Sequence, residues 1–182
     1  MATWDSHGRR GTALEELVNH TNEIYREKGL ALIQKIPTPI KPVNIDEASS
    51  RITLAYFESK STIDYMGAVQ GIPVCFDAKE TGIDNLPLYN VHEHQMEFME
   101  AFEKQGGVAF FLVMFTGKNE TFYLPFRDMK RCWERANEGG RKSIAYAEFD
   151  PAYRIQAKGA LLCHYLEGLA RDLAQRDEAE EK

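Results

Sequence analysis

Three side chains raise the question of chemistry: Asp64, Asp77 and Lys79. Asp77 and Lys79 stand two apart in Val74-Cys75-Phe76-Asp77-Ala78-Lys79, a run of strand composition entered through Gly71 and Pro73. Residues two apart in a strand share a face, so Asp77 and Lys79 project together while Phe76 and Ala78 meet the opposite layer. Asp64 comes from just upstream, in Thr62-Ile63-Asp64-Tyr65. Paired carboxylates hold a hard divalent cation through oxygen. A lysine beside them orients or activates water and offsets charge that builds on a phosphorane. Such a set, written D…(D/E)-x-K, is the minimum apparatus for metal-assisted phosphodiester cleavage. The same triplet also describes an edge strand with a solvated Asp/Lys pair, so the elements around it must decide.

At 182 residues, with 43% hydrophobic and 27% charged residues, the chain is expected to form one globular domain with a single substantial core. No apolar run reaches membrane-spanning length, and Met1 to Arg10 lacks the apolar region of a signal peptide. No membrane association and a cytoplasmic location are expected. Cys75, Cys132 and Cys163 are widely spaced, which favours free thiols in a reducing compartment over a zinc site or disulfide framework. The net charge of −6 runs against the basic footprint of a nucleic-acid binder. Much of that acid sits between Asp172 and Lys182, however. The bases gather at Arg9-Arg10, Lys35, Lys41, Arg51, Lys60, and at Lys130, Arg131, Arg135, Arg141 and Lys142.

The positioning elements can be read in order. Residues 1–10 form a polar arm, and Thr12 with Glu15 makes a capping box for a helix that closes at Lys28-Gly29. Glu15 and Glu16 in its first turn suit the helix dipole. Leu30 to Gln34 reads as a strand. Pro37, Pro39 and Pro42 then exclude helix and central strand, and Arg51 to Phe57 is strand-like again. Residues 37–60 therefore form an ordered projecting insertion. Residues 81–86 read as loop, and a helix runs from His92 to Lys104 with Phe98, Met99 and Phe102 buried and His92, Gln95 and Glu103 nearer the polar side. His92 and His94, at i and i+2, are expected to face apart, which argues against zinc. Val108 to Phe115 reads as a strand covered on both faces. A hairpin turn at 117–120, a strand at 121–125, a helix at 126–135 and a mobile basic loop at 138–143 follow. The last helix is expected from Ala157 to Ala174, with Ala160, Leu161, Tyr165, Leu169 and Leu173 inward, and then a frayed acidic tail over 174–182. This order describes an α/β domain around one mixed sheet.

With these elements placed, the chain resembles the RecU-type Holliday junction resolvases of Gram-positive bacteria. The resemblance is carried by Arg10-Gly11 with Leu14-Glu15, Lys35-Ile36-Pro37-Thr38-Pro39, Ala55-Tyr56-Phe57 and Ser61-Thr62-Ile63-Asp64-Tyr65 with Gly67. It continues through Phe76-Asp77-Ala78-Lys79-Glu80-Thr81, His92-Glu93-His94-Gln95 and Gly140-Arg141-Lys142-Ser143-Ile144. It implies a restriction-endonuclease-like core, a mixed central sheet flanked by helices with a projecting β stalk, assembled as a homodimer. It also implies Mg2+, with Mn2+ able to substitute, held by Thr62, Asp64, Asp77 and Gln95, and Lys79 placed to stabilise the transition state. Glu15 matches a first-helix glutamate with a metal-site or water-positioning role. Asp77 stands where the family more often has glutamate, one methylene longer.

The activity implied is paired nicking of a four-way DNA junction in homologous recombination and DNA repair. Recombinase and branch-migration proteins are the implied protein partners. A stalk entering the junction would read shape and phosphates rather than bases. Lys35, Lys41, Arg51 and Lys60 would meet phosphates there, and Phe57 would stack or wedge at the crossover. Arg10, Arg141 and Lys142 would guide duplex backbone. Two further readings stay open on the residues: a non-catalytic junction-binding or recombinase-regulating module, and a sequence-specific duplex endonuclease.

Overall fold

The computed structural model describes residues 12–46, 49, 51–57 and 62–180. Helix α1 (Thr12–Glu27) ends at Gly29, whose φ of +65° lets Leu30 N–H turn back to Tyr25 O. Then come β1 (Leu32–Lys35), β2 (Ile40–Asp46), β3 (Arg51–Phe57), β4 (Tyr65–Val69), β5 (Ile72–Thr81) and β6 (Asn85–Pro87). Helix α2 (Glu93–Lys104), β7 (Val108–Phe115), β8 (Glu120–Pro125), α3 (Phe126–Asn137), β9 (Ser143–Ala145), β10 (Arg154–Ile155) and α4 (Leu166–Glu180) complete the order.

The main sheet runs β1-β4-β5-β7-β8-β10 and is mixed, because β5 and β7 are parallel while their other neighbours are antiparallel. Every residue of β7 is buried, as its unbroken apolar run requires of a strand covered on both faces. One face packs Val74, Phe76, Phe110 and Leu112 under α1 and α4. The other packs Cys75, Phe111 and Val113 under α2 and α3. Strand β5 is thus an interior strand, and the solvated edge-strand alternative for Asp77 is excluded.

Strands β2 and β3 form a separate two-stranded ribbon with a bulge around Val43. Pro42 sits within β2, opposite Ala55, and is tolerated because a lone ribbon consists of two edges. Asn85 and Leu86, expected in a loop, lie instead with Pro87 in β6, which pairs with β9 from Pro87↔Ser143 to Asn85↔Ala145. The basic loop leading into β9 is tied down rather than open: Gly140 N–H bonds Arg135 O, and Arg141 pairs with Glu148 at 3.5 Å.

The C-terminal helix departs most from expectation. It begins at Leu166, not near Ala157, and continues through 174–180 where a frayed tail was expected. Residues 158–161 close a tight turn through Lys158 and Leu161, with Gly159 at φ +61°, a conformation no helix accepts. Ala160 is exposed, whereas Leu161, Tyr165 and Leu169 are buried as expected. Gly168 lets α4 come close to β8, since a Cβ there would meet Tyr123 Cβ at 2.7 Å. Asp172, read as part of the acidic tail, is fully buried. Its carboxylate accepts from Tyr123 Oη at 2.8 Å and Arg176 Nε at 3.0 Å and also pairs with Arg127. Arg176 in turn reaches Glu103 of α2 at 2.5 Å. Among the described residues no helix is long and apolar enough to cross a membrane.

Removing one member of a buried ion-paired cluster strands the others without a counter-charge. Asp172→Ala should therefore cost about 3–5 kcal/mol of unfolding free energy. Asp177→Ala, on the exposed side of the same helix, should change it by less than about 0.5 kcal/mol. Denaturant unfolding of both variants separates a structural Asp172 from a tail residue.

Candidate active site

The site forms where β5 passes under the N-terminus of α2. Strand alternation turns Asp77 toward α2, and its side chain is wholly buried. Lys79, two residues on, brings Nζ to 2.5 Å from Asp77 Oδ2. Gln95 of α2 donates from Nε2 to Asp77 Oδ1 at 2.9 Å. Its Oε1 accepts from Lys79 Nζ at 3.4 Å and from the His92 backbone N–H at 3.1 Å. The second bond is the returning half of a capping box, because His92 is the N-cap and Gln95 the third residue after it. Capping thus fixes the rotamer that grips the carboxylate. Asp64 sits immediately before β4, and its Oδ2 accepts from Ala78 N–H at 2.9 Å, which ties it to the strand carrying Asp77 and Lys79.

Burial is the main influence on Asp77 and pushes its carboxyl well above the usual carboxylate range. Lys79 opposes that push, and the neighbouring Asp64 carboxyl reinforces it. Asp77 Oδ2 is buried and, despite the ion pair with Lys79, accepts no well-aligned hydrogen bond. Two adjacent carboxylates, one with an oxygen short of donors, suit a hard divalent cation, and the Gln95 and Thr62 oxygens belong to the same donor class. The residues present therefore fit such an ion. Among the described residues no group of three or more His, Cys, Asp or Glu converges as a metal cluster, so carboxylates alone would not complete a coordination shell.

The sequence expected Gln95 on a polar surface, and the structure buries it. Positions 95, 99 and 102 fall at i, i+4 and i+7, so Met99 and Phe102 already marked the stripe that holds Gln95. His92 and His94, expected to face apart, stack with ring centroids 5.4 Å apart. His92 lies outside the helix in extended conformation, so helical spacing does not apply to it. Tyr65 is buried, stacks on Phe76 and donates to Asn19 Oδ1 at 3.0 Å. Burial first, and then the charges of Glu15 and Asp64, raise its phenol far above the ordinary value.

The remaining expected residues are dispersed. Thr62 lies half-buried two residues before Asp64. Glu15 pairs with Lys35 at 2.6 Å, and the capping box expected of it with Thr12 lies outside the described side chains. Lys41 and Arg51 are exposed on the ribbon. Phe57 closes β3 opposite Ile40, its side chain outside the described residues, as are Arg10 and Lys60 altogether. Lys142 is exposed beside Tyr89 and Trp133. The clustered bases are largely neutralised, by Lys130–Glu100, Arg131–Asp128 and Arg135–Glu148.

A mixed sheet carrying acid, acid and lysine around one interior strand defines an α/β domain of the D…(D/E)-x-K class. The chain belongs to the Recombination protein U (RecU) family, whose model matches residues 9–171. A Holliday junction resolvase RecU from Pediococcus pentosaceus is 39% identical over 168 residues, covering 90% of this chain and 84% of its own. That of a Geobacillus species is 42% identical over 149 residues, covering 80% and 74%. Among solved structures, the Archaeoglobus fulgidus Holliday junction resolvase Hjc aligns over 62% of this chain and 74% of its own at 11% identity and a TM-score of 0.35, too distant to carry weight.

The raised proton affinity of Asp77 has a definite sign. A folded-state carboxyl that holds its proton more tightly than the unfolded one loses stability as pH climbs from the ordinary carboxylate range toward neutrality. In metal-free protein, the melting temperature of wild type relative to Asp77→Asn should therefore fall as pH rises from about 4 to about 7 and level off above that. A difference flat across that range would refute the raised proton affinity of Asp77.

Proposed function

We propose that this chain is a structure-selective endonuclease that resolves Holliday junctions by paired, magnesium-dependent nicks and works as a homodimer. The observation that carries the reading is the convergence of Asp64, Asp77, Lys79 and Gln95 at the junction of β5 and α2. The family relatives named as Holliday junction resolvases support the four-way junction as substrate.

Asp64 and Asp77 would hold the cation, with Thr62 adding a neutral oxygen; the Gln95 oxygen would join them only by giving up its bond to Lys79 or to the His92 N–H. When bound, the ion supplies Lewis-acid polarisation of the scissile phosphate. The chain's own groups do the rest. Lys79 carries a compact positive charge beside the place where the phosphorane develops, and so favours the transition state over the ground state. Gln95 holds both Asp77 and Lys79 by one amide, which keeps acid and base in register. Backbone N–H of Ala78 fixes the Asp64 carboxylate. Lys41 and Arg51 would meet phosphates of the junction, a contribution that adds affinity without reading sequence. Pairing of Arg135 and Arg141 with Glu148 makes the loop before β9 a weaker contributor than its composition suggests.

The ribbon supports the dimer. Ile45, Ile52, Leu54 and Tyr56 are 47–58% exposed, and Ile45 stands opposite Ile52 in register. An isolated two-stranded ribbon is marginal in water and gains stability when its apolar face is covered. The ribbon of a second copy has the matching composition, and the resulting two-fold symmetry would mirror the pair of strands to be cut.

Asp64→Ala and Lys79→Ala should each abolish nicking of a synthetic four-way junction in magnesium, while junction affinity falls by no more than about threefold because phosphate contacts lie elsewhere. A gel assay beside a binding titration reads both, and retained nicking by either variant defeats the assignment. Ile52→Lys combined with Leu54→Lys should shift the protein from dimer to monomer in analytical ultracentrifugation. An unchanged mass would place the interface elsewhere.

A further inference from the structure

Strand β5 carries Lys79 and helix α2 carries Gln95, so residues 82–92 join the two elements of the site. Away from the ribbon and β1, three large apolar side chains are exposed among the described residues. Two of them, Ile83 and Tyr89, lie in this connection, and Tyr89 is the more open at 79%. A lone exposed aromatic needs no explanation in itself. This one, however, stands on a fixed backbone. Pro87 before it pairs with Ser143 of β9, Leu88 N–H bonds Lys142 O at 3.1 Å, and Val91 N–H bonds Leu88 O at 3.0 Å. Leu88 and Val91 are buried on either side, so a single 3-10 turn over Leu88–Asn90 holds the Tyr89 ring out into solvent. Among the described residues its hydroxyl has no hydrogen-bond partner and its ring stacks on no other.

Tyr89 shares a cavity of about 370 Å3 with Trp133 and Lys142. Trp133 of α3 is half-buried against the core layer beneath that helix. Lys142 is exposed and differs from the bases near it in the chain. Lys130, Arg131, Arg135 and Arg141 each pair with an acid, whereas Lys142 pairs with none among the described residues. Two aromatic rings beside an uncompensated ammonium match the two halves of a nucleotide, a base that stacks and a phosphate that carries charge. The cavity lies at the small end of the range for ligand sites. A protein partner would need about 800 Å2 on each side, far more than one open ring and one half-buried ring present. The place suits a nucleotide too. His92, three residues after Tyr89 and so within about 11 Å of chain, donates its N–H to Gln95 at the site. With about 3.4 Å of rise per nucleotide, the ring stands a few nucleotides from the phosphate to be cut.

We propose that Tyr89, Trp133 and Lys142 form a subsite for one nucleotide of the DNA strand that enters the active site, the rings stacking on a base displaced near the branch point and Lys142 meeting its phosphate. The proposal rests on the nuclease reading above, which supplies the strand. Stacking is tolerant of sequence, because every base has a π face. The subsite therefore fixes where the strand lies along β5 and α2 without selecting which base lies there.

The test uses the full chain and a synthetic four-way junction, with affinity measured in the absence of divalent cation. The chain has two tryptophans, Trp4 and Trp133, so Trp4→Phe leaves Trp133 as sole reporter. Its emission should be quenched as junction is added. In that background Tyr89→Ala should weaken affinity at least about fivefold, the scale of one lost base–aromatic stack. Tyr89→Phe should stay within about twofold of the parent, and Tyr89→Leu should be as weak as Tyr89→Ala, because the contact needs a ring and not merely apolar surface. Lys142→Met should reduce the slope of log affinity against log salt by about one phosphate contact, while Tyr89→Ala leaves that slope unchanged. Unquenched Trp133, an unchanged affinity for Tyr89→Ala, or full recovery by Tyr89→Leu would each overturn the proposal. A fall in mass from dimer to monomer for Tyr89→Ala in analytical ultracentrifugation would give the patch to a second copy and overturn it as well. None of these readouts requires cleavage. A wild-type protein that binds the junction without nicking it in magnesium would sink the nuclease reading, while the affinities still decide for or against the subsite.

Discussion

The site depends on an acid kept where water cannot reach it. Asp77 is fully buried on an interior strand between apolar neighbours, and an ionised carboxylate in such a place carries a large desolvation cost. The surroundings answer that cost in three ways. Lys79 supplies a counter-charge, the Gln95 amide supplies a hydrogen bond, and the adjacent Asp64 makes a pair of acids that a shared cation would neutralise. Each answer requires a different element to be in place. The strand must alternate correctly, α2 must begin at residue 93, and β4 must bring Asp64 alongside.

That requirement explains the arrangement of the sheet. Parallel pairing of β5 with β7 sets Asp77 opposite Phe111 and Lys79 opposite Val113, so apolar side chains on β7 wall one side of the polar pair. Helix α2 covers the same face and contributes Met96 and Met99 to the core beside Gln95. The site is thus a polar inclusion in the second hydrophobic layer, opening where α2 starts. Residues 36–39 lead from β1 into the ribbon, and Ile36 N–H in that connection bonds the Asp64 carbonyl, so this root borders one of the acids.

How much of this the sequence carried varies by residue. Asp64, Asp77 and Lys79 were legible because strand spacing and local proximity place them, and β7 was legible because nothing but a doubly covered strand tolerates its composition. Gln95 was assigned to the wrong face, although its spacing to Met99 and Phe102 pointed inward; a polar residue in an apolar stripe reads as an exception until its partner is seen across the layer. Asp172 shows the same effect. It lies three residues after Leu169 on the buried face, but its acidic surroundings in the chain drew it into a tail. Its true partners, Tyr123, Arg127 and Arg176, include two from distant elements. The Lys35–Glu15 pair spans twenty residues, and no local pattern announces it. The start of α4 was misjudged because Leu161 and Tyr165 are buried at helical spacing without being helical, and only the backbone at Gly159 reveals the turn.

Helix α2 is pinned at both ends. At its beginning Gln95 bonds Asp77, and near its end Glu103 accepts from Ala109 N–H and from Arg176 of α4. The two grips are eight residues apart, about 12 Å along a rigid rod. A rod so held cannot slide or rotate to suit one end without disturbing the other. The amide that grasps the buried acid and the carboxylate that receives α4 therefore sit on one stiff element, so the placement of the cutting machinery is tied to a helix far away in the chain as well as to the short stretch that surrounds it.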